Sequence, residues 1–92
     1  MENPDTPFFA KKVVITGVLD AFPYREDLAS LLKKYGADIN GSISGKTDIV
    51  IMGKGAGPSK LKKIEEFQSK GYDIHVFNEN DLLEIIEEYN IQ

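Results

Sequence analysis

The sequence predicts an α/β domain in which a mainly parallel sheet carries helices on both faces. Two observations predict it. Short apolar runs rich in β-branched residues, Lys12 to Thr16 and Asp48 to Met52, are too short for helices and read as buried strands. Other segments place apolar residues at i, i+3, i+4, i+7, the period of an amphipathic helix. The resulting order, β-α-β-β-α-β-α, implies parallel pairing, because parallel neighbours need a crossover and a helix is the usual one.

A chain of 92 residues, 41% hydrophobic and 10% aromatic, has room for a single core. Residues 1–7, with Pro4 and Pro7, read as a flexible tail, and residues 8–92 as one domain, with Phe8 and Phe9 anchoring the tail to the core. The first strand, Lys12 to Thr16, stops at Gly17, where the backbone can turn without a side chain in the way. Pro23 suits the first turn of a helix over Tyr24 to Tyr35. Its stripe is Leu28, Leu31, Leu32 and Tyr35, and Gly36 stops it. Asp38 to Ile43 reads as a weak second strand. Ser44-Gly45-Lys46-Thr47 reads as a turn, and Asp48 to Met52 as the third strand. Gly53 to Pro58 is a loop, and Ser59 caps a second helix with Leu61, Ile64 and Phe67 buried and Gly71 at its end. Ile74 to Phe77 is the last strand. Asn78 with Asp81 three residues on caps a third helix, striped by Leu82, Ile85, Ile86 and Tyr89.

The composition excludes several chemistries. Without cysteine there is no disulfide and no thiolate metal site, and with His75 as the single histidine a zinc site or histidine triad has little to build on. No metal, cofactor or catalytic residue is expected. Asp20 stands near the end of the first strand, while Glu26 and Asp27 are first-turn acids favoured by the helix dipole. No run reaches membrane-spanning length, and Met1-Glu2-Asn3-Pro4 does not open a signal peptide. Gly41-Ser42-Ile43-Ser44-Gly45-Lys46-Thr47 is one residue short of a P-loop and precedes a strand rather than a helix. In Gly53-Lys54-Gly55-Ala56-Gly57 the third glycine comes one position early for a dinucleotide fingerprint.

The net charge of −4 argues against coating nucleic acid by bulk electrostatics. The charge is uneven. Residues 46–63 carry Lys46, Lys54, Lys60, Lys62 and Lys63 against Asp48 alone, whereas Asp73, Glu79, Asp81, Glu84, Glu87 and Glu88 follow Lys70 with no cation among them. Two cations sit where a helix dipole disfavours them, Arg25 in the first turn of helix one and Lys60 just after Ser59. An external anion turns both local costs into gains, because free N–H groups and the cations then act together. The Thr16 hydroxyl and the Gly17 N–H complete a phosphate site, with purely structural cations as the alternative.

These residues resemble a BRCT domain from about Phe8 to Tyr89. The resemblance rests on Val14-Ile15-Thr16-Gly17, Arg25, Tyr35-Gly36-Ala37, Ser42-Ile43-Ser44 with Lys46-Thr47, the strand into Met52-Gly53, and Gly57-Pro58-Ser59-Lys60. It is closest to the subgroup in bacterial NAD-dependent DNA ligases and the clamp-loader large subunit. It implies a four-stranded parallel sheet in the order 2-1-3-4 flanked by three helices, with helices one and three on one face and helix two on the other. It further implies that Thr16 and Gly17 contact a phosphate, that Lys60 pairs with it and that Arg25 supports it. The tryptophan many members carry in helix three is replaced by Leu82 or Leu83.

The expectation is a non-enzymatic, monomeric, cytoplasmic module near the bacterial nucleoid. It binds a DNA 5′-phosphate end in replication or repair, with Lys54, Lys62 and Lys63 on flanking backbone. The alternative is a protein-interaction domain, phosphopeptide-binding or otherwise, with a vestigial phosphate pocket.

Overall fold

A computed structural model describes residues 6–91; the first five residues of the expected tail lie outside the described residues. Thr6, two residues before Phe8, is buried, and Phe8 is fully enclosed in the core.

The elements are β1 (Lys12–Thr16), α1 (Arg25–Lys34), β2 (Asp38–Asn40), β3 (Ile49–Met52), α2 (Pro58–Ser69), β4 (His75–Asn78) and α3 (Glu79–Glu88). All pairings are parallel and the sheet order is β2-β1-β3-β4, the order the resemblance implies. Val14 lies opposite both Asn40 and Val50, and Val50 opposite Val76. The central strands are buried on both faces, which is why their sequences are unbroken apolar runs rather than alternating ones. Val13, Ile15, Ile49 and Ile51 meet Leu28 and Leu32 of α1 and Leu82 of α3. Val14 and Val50 meet Ile64 of α2, with Ile43 and Ile74. Helices α1 and α3 thus share one face and α2 takes the other. Leu82 is fully buried whereas Leu83 is exposed, so Leu82 fills the place expected of a tryptophan.

Several element ends differ from the sequence-based expectation, each for a local reason. Helix α1 starts at Arg25, because Tyr24 is extended and accepts the first helical bond from the Asp27 N–H; Pro23 precedes the cap instead of opening the helix. Ser59 is not the cap of α2. Gly57 holds that position and Pro58 is the first helical residue, where the fixed φ of proline favours helix initiation. Leu61, expected in the buried stripe of α2, is exposed. Strand β2 ends at Asn40, three residues early, because the exposed Gly41-Ser42 bend leaves the sheet; Ile43 is buried nonetheless, beneath α2. Strand β3 starts at Ile49 because the Asp48 carboxylate accepts the Lys12 N–H (2.9 Å) at the amino edge. Strand β4 is shifted by one residue, to His75–Asn78. The Asn78–Asp81 capping box forms reciprocally, as expected.

Candidate functional site

The chain runs from β1 through α1 to β2 on one side of β1, and then back to β3 on its other side. Helices α1 and α2 therefore both start from the carboxyl edge of neighbouring strands, where open parallel sheets form a crevice. Beyond the strand ends two turns cross. The Gly53 N–H donates to the Thr16 carbonyl (2.8 Å), and Val18 and Lys54 exchange two backbone bonds of 2.8 Å each in an antiparallel bridge. The crossing requires two glycines. Gly17 has φ +78°, and a Cβ there would stand 2.7 Å from the Gly53 carbonyl oxygen; a Cβ on Gly53 would stand 2.5 Å from that of Val18.

This crossing aims the end of β1 outward. Thr16 is 7% exposed, and among the described residues neither its hydroxyl nor the Gly17 N–H has a hydrogen-bond partner. Arg25, the first residue of α1, shares a hollow with Gly17. Its Nη1 reaches the Ile15 carbonyl at 3.4 Å, a long bond, and it has no acidic partner among the described residues. Gly17 and Arg25 line one hollow of about 150 Å³ whose floor is Ile15, Leu19, Phe22 and Leu28. Two of the four expected phosphate residues, Gly17 and Arg25, thus share a hollow, which Thr16 does not line.

Lys60 occupies the third position of α2, half-buried, at the same edge of the sheet. No hydrogen bond or ion pair joins it to Thr16, Gly17 or Arg25. The first turn of α2 contains no acid, in contrast to Glu26 and Asp27 in α1 and Glu79 and Asp81 in α3. The positive end of its dipole is left uncompensated beside a lysine. Lys62 and Lys63 extend the basic turn as exposed side chains.

Lys54 has an acidic partner that the sequence did not reveal. Its Nζ lies 2.9 Å from Asp20 Oδ2, an exposed ion pair between the two crossing turns. The hydrogen bond to Asp20, reinforced by that carboxylate's charge, holds its pKa above the ordinary lysine value. Glu79, which sequence reasoning missed, braces the same loop. Its carboxylate accepts the N–H groups of Asp20 (3.0 Å) and Ala21 (2.9 Å). No local pattern marks that role, since partner and loop are 58 and 59 residues apart.

A larger cleft of about 450 Å³ lies between Lys54 and the start of α3. Its lining includes the carboxylates of Asp20 and Glu79, and its one cation is already paired, so it repels an anion. The smaller hollow has the Gly17 backbone and the Arg25 guanidinium, with no acid among its lining residues. The P-loop look-alike closes on itself: the Ser44 N–H donates to Thr47 Oγ1 (2.9 Å) and the Thr47 N–H to the Ser44 carbonyl (3.1 Å), leaving no phosphate cradle. Among the described residues no cluster of three metal-ligating side chains occurs, and no helix is long and apolar enough to cross a membrane.

The family model of the BRCA1 C Terminus (BRCT) domain matches residues 3–86. Among curated proteins, a DNA ligase of Rhizobium rhizogenes is 42% identical over 88 residues, 92% of this chain and 11% of the ligase. A DNA ligase of Exiguobacterium sibiricum is 37% identical over 89 residues, 97% of this chain and 12% of the ligase. The chain therefore spans about a tenth of the length of these relatives. With a parallel sheet in the order 2-1-3-4, three helices distributed two and one over its faces, and a family match over nearly its whole length, the chain belongs to the BRCT family.

Proposed function

We propose that the chain is a phosphate-recognising module that binds 5′-phosphorylated DNA ends and does no chemistry itself. Domains of this family are generally non-catalytic and bind DNA or proteins. The observation that carries the finer reading is the end of β1: an unpartnered hydroxyl on Thr16, and an unpartnered N–H on Gly17, which shares a hollow with a guanidinium that has no acid to pair with. A phosphate monoester is acceptor-rich and doubly charged, and it satisfies all three groups at once. Lys60, on the uncompensated first turn of α2, is the fourth ligand, and Lys62 and Lys63 face the flanking backbone. The ligases it resembles act on DNA, so the setting is bacterial replication or repair at the nucleoid.

The test is a titration with short duplexes that differ only in the 5′ phosphate, read by fluorescence anisotropy. The phosphorylated duplex should bind more tightly. Lys60→Ala and Arg25→Ala should each weaken it about tenfold, the scale of one charge-assisted hydrogen bond lost, with the thermal midpoint unchanged. Equal affinity with and without the phosphate rejects this reading and favours a protein-interaction domain that keeps only the shape of the pocket.

A further inference from the structure

The β1–α1 loop contains two residues that the fold does not explain. Tyr24 is 69% exposed, and its side chain has no hydrogen-bond or ring partner among the described residues. It occupies the N-cap of α1, where Ser, Thr, Asp or Asn is strongly favoured, and it makes no capping bond. Val18 is 58% exposed in the same loop, whereas Leu19 and Leu28 turn inward to floor the hollow. Helix initiation is thus given up for an aromatic ring held in water one residue before Arg25. Departures of this kind from local preference concentrate at functional positions.

The proposed phosphate site poses a specificity problem that such a ring solves. Every duplex presents singly charged phosphodiesters along its whole length, so a pocket that prefers the terminal monoester still faces many competing interior sites. Only an end offers the uncovered π-face of a last base. Resting on the reading above, we infer that Tyr24 is a stacking platform for the terminal nucleotide. The 5′ phosphate lies on Thr16, Gly17 and Arg25, the ring covers the adjoining base, and Val18 supplies apolar contact to the sugar. Aromatic–base stacking tolerates any sequence, as recognition of an arbitrary end requires.

The experiment uses the whole chain and three blunt duplexes. One is 5′-phosphorylated with an intact terminal pair, one is 5′-phosphorylated with an abasic terminal nucleotide, and one is unphosphorylated. Tyr24→Phe should bind the first like wild type. Tyr24→Ser should bind it about fivefold or more weakly, the scale of one lost stacking contact. Because serine is a good N-cap, that variant should melt roughly 4–8 °C higher than wild type, which separates loss of the ring from loss of the fold. On the abasic end, wild type and Tyr24→Ser should bind alike. Unchanged affinity of Tyr24→Ser for the intact end overturns the inference, and so does an equal loss on the abasic end. In either case a wild type that still prefers the phosphorylated duplex leaves the phosphate reading standing. A wild type indifferent to the phosphate removes both.

Discussion

Replacing Gly53 with alanine tests the crossing on which the site is built. A Cβ there would stand 2.5 Å from the Val18 oxygen and 2.6 Å from its carbonyl carbon. These are backbone atoms held by the two 2.8 Å bonds between Val18 and Lys54, not the end of a side chain that can swing away. Overpacking that neighbours can relieve costs about 1–3 kcal/mol. Relief here means parting the two turns, which forfeits backbone bonds at about 1 kcal/mol each. With both bonds lost the sum is roughly 3–5 kcal/mol out of the 5–15 kcal/mol typical of a whole domain. In a domain of this size each kcal/mol moves the midpoint by about 4–8 °C, so Gly53→Ala should melt roughly 12–40 °C below wild type by far-UV circular dichroism. Gly17→Ala should fall lower, because at φ +78° it adds a left-handed penalty of about 1–2 kcal/mol to its own 2.7 Å clash. Gly41→Ala is the control, since a Cβ there meets nothing within 4 Å. If Gly53→Ala melts with Gly41→Ala, the turns are not locked and the reasoning fails.

Leu82→Ala should destabilise by about 2–5 kcal/mol in denaturant titration, since Leu82 is fully enclosed between sheet and helices; a loss under 1 kcal/mol would place the side chain outside the core. Glu79→Gln keeps one acceptor for the loop and loses the other, so amide exchange at Asp20 and Ala21 should accelerate while β3 amides stay protected; unaltered exchange at both refutes the brace. Hydrogen bonding to Asp38 and Asp20 holds Lys12 and Lys54 charged above their ordinary value of 10.5. A raised lysine pKa contributes stability that is complete below the unfolded value and lost as pH climbs through the folded one. The midpoint should therefore decline above pH 10.5, and less steeply in the Lys12→Met/Lys54→Met double variant; parallel declines would show the pairs to be idle.

What the sequence made legible was local or periodic. The run from Lys12 to Thr16 could only be a buried strand, and Asn78 with Asp81 spells a capping box within four residues. The cap of α2 was misplaced because Ser59 and Pro58 compete for one end of the helix, and proline's fixed φ decides in favour of Gly57. Strand β2 was overrun because Ile43 is apolar for the sake of the α2 face, not for pairing. The pairing of Gly17 with Arg25 in one hollow was readable from a strand that stops abruptly and a cation misplaced on a helix. The partner of Lys54 was not. A lysine in a glycine-rich loop looks free until folding delivers Asp20, 34 residues away in sequence. The reliance of Gly17 on Gly53 is equally non-local.

The brace supplied by Glu79 has a consequence for synthesis. Thr16, Gly17, Arg25 and Lys60 have all been made before Glu79 exists, and Glu79 follows Asp20 by 59 residues. At the usual 5–20 residues per second, roughly 3–12 s separate the two on the ribosome. In the last third of that interval, after Lys60 has been added, all four residues exist without the α3 residue that braces the loop. The loop that follows β1 therefore gains its brace last, only once the start of α3 is in place.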